Sequence, residues 1–326
     1  MAGLLVGVVV GLTGMGGGAL MTPVLIMFFG VSPLAAVSSD VVASFFMKPI
    51  GGLVHLRRGT VHLGLVTWLC VGSIPGAFGG VLLLRHLGSG EQLAEILLVA
   101  LGAVLVLASL GMVAKAYLHL LRRQRQRRAG LAVDPGQDIA TVPVHRLATV
   151  LVGAGGGLVV GMTSVGAGSL MIVALLLLYP SLKAGQLVGT DLVQAVPLVA
   201  SASLGHLLFG DFTLGLTASV LVGAIPGVWV GARLSSRSRG GLVRRALAAV
   251  LLASGIKLLG ASTGLMLGIV GTALVVGALL WAWIRTRLGE PPRTWQLRFR
   301  RPPGTATARS GPPSVPVARE DPPPRR

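Results

Sequence analysis

Residues 11–20 read GLTGMGGGAL and residues 161–170 read GMTSVGAGSL, and each lies within a long uncharged stretch. Glycine weakens a helix, yet here it recurs at the centre of segments that otherwise suit a helix in lipid. Thr13, Thr163, Ser164 and Ser169 accompany the two runs. A chain that needs apolar helices has a physical reason for interrupting two of them in the same way.

The surroundings of the runs fix the class. The chain has 53% hydrophobic and 12% charged residues, whereas soluble domains carry about 25% charged residues. Apolar stretches of about 20 residues, enough to span a bilayer, recur from Met1 to Trp283. These are not the short alternating segments of a membrane barrel. The expected fold is an all-α integral membrane protein with about 7–9 membrane segments.

Ten acidic residues are present, and of these only Asp40 and Asp191 lie inside apolar runs. The net charge of +18 comes from arginines placed between spans and in the C-terminal tail. The positive-inside rule puts such clusters on the cytoplasmic side, which argues for lipid rather than nucleic acid as the partner and for a multi-pass protein of the inner (plasma) membrane. Cys70 is the single cysteine, so an internal disulfide is excluded; CxxC and His/Cys metal clusters are absent. No cofactor or metal is expected. The opening MAGLLVGVVVGLTG has the apolar character of a signal peptide without a basic start, and it is read as retained.

Sliding the sequence by 151 positions aligns residues 38–80 with 189–231, and 15 of the 43 pairs are identical. They include Asp40 with Asp191, His55 with His206, Gly59 with Gly210, and GSIPG (72–76) with GAIPG (223–227). The glycine runs align at a shift of 150. The chain therefore reads as a first membrane repeat (1–118), a basic linker (119–146), a second repeat (147–260), an extra membrane helix (261–284) and a disordered tail rich in Pro and Arg (285–326). Each repeat shows four apolar segments: 2–32, 33–56, 61–84 and 92–118, then 147–180, 184–208, 212–234 and 242–260. If all eight crossed, the basic clusters would fall on both sides. If the glycine-rich segment of each repeat dips in and returns as two half-helices, each repeat crosses three times. Linker, tail and the other clusters then share the cytoplasmic side, with Arg85 the main exception. The repeats would be inverted, a common plan among secondary transporters.

Broken membrane helices occur where their backbone lines a cavity rather than lipid. A break at Gly14, Gly16, Gly17 and Gly18, and its mate at Gly166 and Gly168, would aim backbone N–H groups and positive half-helix ends at the bilayer centre. Thr13, Thr163, Ser164 and Ser169 would add hydroxyl donors. Such a site suits a small anionic substrate. Close packing of helices is the competing role for the same glycines.

Asp40 and Asp191 stand at matched positions, and a carboxylate inside a membrane is costly and usually functional. Proton coupling is one reading; a structural carboxylate that caps a half-helix or pairs with Lys48 is the other. Lys48 aligns with Val199 and so has no counterpart. His55 and His206 are further proton-coupling candidates, although histidines near span ends also serve as hydrogen-bonded anchors. Pro75 and Pro226 are expected to kink the third span of each repeat.

The motifs in order are the glycine-rich opening, SSDVVASFFMKPIGGLVHLRRGTV (38–61) with its mate GTDLVQAVPLVASASLGHLLFGDFT (189–213), and PGAFGG (75–80) with PGVWVG (226–231). Across roughly residues 3–260 this pattern resembles the TauE/SafE (TSUP) family. The resemblance implies a transporter that exports sulfite, sulfoacetate or related small sulfur-containing or organic anions. It also adds Ser39 and Thr190 as substrate-binding candidates: where many members have a Thr-Ser pair, this chain has Ser39-Asp40 and Thr190-Asp191. The function expected is a proton-coupled secondary transporter of a small anion, with an anion channel or a non-transporting membrane scaffold as alternatives. An enzyme is disfavoured, because no nucleophile with a base partner stands out, and no ATP-binding G-x-x-x-x-G-K-[ST] motif is present. The oligomeric state is left open.

Overall fold

A computed structural model of the chain describes residues 3, 4, 6–8, 18–88, 90–128, 142–166, 168–182, 184–235 and 240–287. Thr13, Gly14, Gly16 and Gly17, most of the linker and the tail from 288 onward lie outside the described residues. The chain divides into two compact units, Met1–Ala278 and Leu279–Arg326. In the second unit the described residues are the C-terminal end of one helix.

All regular structure among the described residues is helical. After helical residues 3, 4 and 6–8 come α1 (Gly18–Phe29), α2 (Pro33–Arg57), α3 (Leu63–His86) and α4 (Glu91–Arg128). They are followed by α5 (Arg146–Thr163), α6 (Leu170–Leu178), α7 (Ala184–Phe209), α8 (Leu214–Ser235), α9 (Gly240–Leu258) and α10 (Thr263–Arg287). Among the described residues six stretches are long and apolar enough to cross a bilayer: Pro33–Arg57, Leu63–His86, Glu91–Ala114, Arg146–Thr163, Gly185–Phe209 and Thr263–Leu280.

Element boundaries follow from local chemistry. Ser32 precedes α2 with Pro33 in its first turn, where a missing N–H costs nothing. Beyond Arg58 the chain turns at Gly59 with φ +62°, the left-handed conformation in which glycine commonly ends a helix. At the linker the structure differs from the sequence reading. Helix α4 does not stop near 118 but continues to Arg128, because Leu, Gln and Arg are strong helix formers and a helix can run on once its apolar part has ended.

Two kinds of helix contact organise the molecule. Helices α2 and α7 run antiparallel: Ser38 meets His206, Ser203 bonds Val41 O, Gly52 faces Leu192 and Val196, and His55 lies beside Gly189. In this register Met47 is level with Pro197, midway along the contact. Helices α3 and α5 run parallel through glycines spaced four apart. Gly72, Gly76 and Gly80 press against the backbone of Val150, Ala154 and Leu158, and Gly153, Gly157 and Gly161 against that of Leu69, Ser73 and Ala77. A Cβ at any of these six positions would collide with backbone of the other helix. Small residues that let backbones approach are the usual means of helix association in lipid. Gly3 and Gly7 meet Gly223, Ala224 and their neighbours on α8 in the same manner.

Around this centre α4 and α9 pair antiparallel, with Gly102 against Gly255 and the Ser109 hydroxyl donating to Ala248 O at 2.8 Å. No part of the Thr263–Leu280 stretch of α10 is buried within the structure.

Candidate functional site

The second glycine run is interrupted. Helix α5 ends at Thr163, Ser164 takes a left-handed conformation (φ +59°), and Gly166 and Gly168 follow at φ +123° and +94° before α6 starts at Leu170. Positive φ at a serine is uncommon, and at the two glycines it removes the choice of any other residue without strain. The upstream glycines of α5 are therefore packing residues and the downstream ones make the break. Thr163 locks the break from inside: its hydroxyl reaches Val159 O at 2.7 Å and Val165 O at 3.1 Å and accepts from Val165 N–H at 3.3 Å. Ser169, also buried, makes no side-chain cap to α6.

The two limbs of this segment return to each other. Tyr179, just past α6, accepts a hydrogen bond through its hydroxyl from His145 N–H at 2.9 Å, and the same hydroxyl pairs with Thr149. The beginning of α5 and the end of α6 are thus neighbours. Farther in, Met171 packs over Gly156.

One end of the break meets the first half of the chain at Asp40. Gly18, the described end of the first glycine run, sits directly against Ser164, so that a Cβ there would strike the Ser164 carbonyl. Asp40 is fully buried (0% exposed). It accepts the Thr22 hydroxyl on Oδ2 at 2.8 Å with the Ser164 side chain close by, while its Oδ1 is buried without a partner. Ser39 is buried too, and its hydroxyl is likewise unpartnered.

The other end meets Asp191. A Cβ on Gly168 would stand 3.8 Å from Asp191 Oδ2. Gln194 donates from Nε2 to Asp191 Oδ1 at 3.1 Å and accepts the Ser73 hydroxyl on Oε1 at 3.1 Å, which ties α7 to α3. Thr190 faces elsewhere: its hydroxyl accepts from His62 N–H at 3.0 Å, and His62 in turn caps α3 by accepting from Leu65 N–H at 3.1 Å. Since Asp40 neighbours the Ser38–His206 contact and Asp191 the Gly52–Leu192 contact, the two carboxylates lie toward opposite ends of the α2–α7 contact.

Lys48 stands between them. It is 7% exposed, near the middle of the α2–α7 contact, and within electrostatic reach of both Asp191 and Asp40. Among the described residues it forms no hydrogen bond or close ion pair. Asp40, Ser44 and Lys48 share one face of α2, since residues four apart stack along a helix.

The histidines divide. His206 is fully buried: Nε2 donates to Gly161 O at 2.8 Å, which leaves Nδ1 to accept the Ser38 hydroxyl at 2.9 Å. It joins α2, α5 and α7. His55 is half-buried and bonds locally, Nδ1 to the Thr60 hydroxyl at 2.9 Å. Gln194, Ser73 and Ser44 were not among the sequence candidates. The available signal was a glutamine three residues after Asp191 in an apolar run, where it falls on the same helix face.

The sulfite exporter TauE/SafE family model matches residues 1–258. The chain is 37% identical over 258 residues to the probable membrane transporter protein YjnA of Bacillus subtilis (strain 168), covering 79% of this chain and 97% of that protein. It is 25% identical over 240 residues to YdhB of the same organism (71% of this chain, 87% of that protein) and 25% over 243 residues to YunE (72% and 85%). Both of these are also named probable membrane transporter proteins. No solved structure matches the chain. With most of the chain matched, and with the helices that carry Asp40, Lys48 and Asp191 inside the match, the protein belongs to the sulfite exporter TauE/SafE family.

Proposed function

We propose that this protein is a secondary transporter that exports a small anion of the sulfite or sulfoacetate type and couples its movement to protons through Asp40 and Asp191. The observation that carries the reading is the placement of the break. Its Ser164 end lies beside one buried carboxylate and its Gly168 end beside the other, and these carboxylates stand on two antiparallel helices that match each other in the duplicated sequence. Matched acidic groups in a membrane interior are rarely only structural. Two buried carboxylates flanking one break suit a fixed site that alternating access would open in turn to either side.

In this reading the two halves are inverted repeats, and each glycine-rich segment re-enters rather than crosses. The contact of Tyr179 with His145 supports re-entry of the second segment. Helix directions support a single basic face: with α2 and α7 antiparallel and α3 and α5 parallel, the ends bearing Arg57, Arg58, the linker and Arg245 lie on one side, which we assign to the cytoplasm. Arg85 lies at the other end, where it stacks on Phe209 with its guanidinium 4.8 Å from the ring centre.

The test is sulfite flux in proteoliposomes across an imposed pH gradient, for wild type and for Asp40→Asn and Asp191→Asn. The expected result is saturable, proton-dependent flux in wild type and loss of the proton dependence, or of turnover, in either variant. Unchanged proton dependence in both variants overturns the coupling. Flux that does not saturate overturns the carrier.

A further inference from the structure

A buried ammonium without a close counter-ion is costly, and a membrane core makes it more so. Lys48 is such a group. The nearer carboxylate in sequence, Asp40, does not neutralise it by contact: Oδ2 is taken by Thr22 and Oδ1 is unpartnered. On the same face of α2, one turn from each, Ser44 is 1% exposed and its hydroxyl also lacks a partner. Three polar groups in a row thus have unused capacity: a carboxylate oxygen, a hydroxyl and an ammonium. Two of the three can donate to an oxyanion.

Position adds to the chemistry. In a chain with two similar halves most site residues come in pairs, but a residue near the middle of the antiparallel α2–α7 contact is nearly equidistant from its two ends. One cation there suffices for one anion, which accounts for Val199 standing where a second lysine would be. The break between Ser164 and Ser169 has Asp40 at its Ser164 end and Asp191 at its Gly168 end, and Lys48 lies within electrostatic reach of both carboxylates.

We propose that Lys48 is the charge that binds the transported anion, with the Ser44 hydroxyl as a second donor, and that Asp40 and Asp191 flank this subsite. The ligand is a small oxyanion that accepts a charge-assisted hydrogen bond from the ammonium. The proposal rests on the anion-transport reading above. It also gives that reading a charge balance: with both carboxylates ionised the three groups sum to one negative charge and repel the anion, and with both protonated they sum to one positive charge and attract it.

The experiment is radiolabelled sulfite uptake, with competition by sulfoacetate, in proteoliposomes of the full chain. Lys48→Gln is expected to lower saturable uptake at least tenfold, with Lys48→Arg retaining part of it and both variants monodisperse in detergent. Ser44→Ala is expected to raise KM several-fold, with Ser44→Thr restoring it, and this pair decides the matter should Lys48→Gln fail to fold. Wild-type KM in Lys48→Gln, or in Ser44→Ala where that variant decides, overturns the subsite and leaves the transporter reading intact. Wild-type protein that carries neither probe under any gradient overturns both.

Discussion

Asp40 and Asp191 occupy matched places in the sequence but have different surroundings. Asp191 is held by the Gln194 amide, itself held by Ser73; Asp40 has the Thr22 hydroxyl on one oxygen and nothing on the other. Position 43, which aligns with Gln194, is alanine, and position 224, which aligns with Ser73, is alanine as well. The asymmetry is therefore written into the chain. Removing the Thr22 donor leaves this buried carboxylate with only the neighbouring Ser164 side chain, so Thr22→Val is expected to destabilise the folded protein by about 1–3 kcal/mol. Thermal unfolding in detergent measures this, and the loss should shrink in an Asp40→Asn background, where no charge needs the hydroxyl. Equal losses in both backgrounds would show that Thr22 acts by packing. The carboxylates themselves could be read from sequence because an acid in an apolar run stands out. Ser44 and Gln194 could not, because an uncharged polar residue in a membrane helix is common and only its neighbours reveal whether its capacity is used.

At the scale of the element, the glycine runs answer the question that their sequence raises, and the answer is divided. Gly153, Gly157 and Gly161 allow α5 to lie against α3, whereas Gly166 and Gly168, with Ser164, turn the chain. Sequence alone offered packing and break as competing roles for one run, because spacing by four serves the first and clustering serves the second, and both patterns overlap here. The matching glycines of α3, Gly72, Gly76 and Gly80, were visible only as part of the repeated PG motif; their role as the opposing face needs the parallel pairing of the two helices. The structure supplies its own controls. A Cβ at Gly157 meets the backbone of Ser73 and Ala77, while Gly155, two residues earlier, has nothing within 4 Å. Gly157→Leu is accordingly expected to abolish monodisperse protein in size-exclusion chromatography, since overpacking a tight contact costs about 1–3 kcal/mol or more. Gly155→Leu should express and elute as wild type. The same contrast holds between Gly76 and Gly79 on α3. If Gly155→Leu and Gly157→Leu behave alike, the close approach of α3 and α5 is not what stabilises this pair.

At the scale of the whole molecule, the charge pattern and the helix contacts bear on the same choice by separate routes. Eight crossings would scatter the arginine clusters over both sides, and two re-entrant segments collect them on one. The helix contacts involve no charges. Helix α5 descends beside α3, the break at Ser164 turns the chain, α6 returns, and Tyr179 reaches His145 where the segment began; α7 then descends antiparallel to α2. The two routes agree on where Ser181 should be. If the segment re-enters, Ser181 lies on the side of the linker, whereas if α5 and α6 together cross once it lies on the opposite side. Both Ser181 and Ser32 are exposed, as is Asp211 after α7, so all three accept a probe. On a Cys70→Ala background, single cysteines at Ser181, at Gln137 in the linker, at Ser32 and at Asp211 can be labelled in intact cells with a reagent that does not cross the membrane. Gln137→Cys and Ser181→Cys should be protected until the cells are opened, and Ser32→Cys and Asp211→Cys should label from outside. Labelling of Ser181→Cys in intact cells, with Gln137→Cys still protected, would reject re-entry. It would also separate the two carboxylates from a common break, and the inverted arrangement on which proton coupling through Asp40 and Asp191 depends would fail with it.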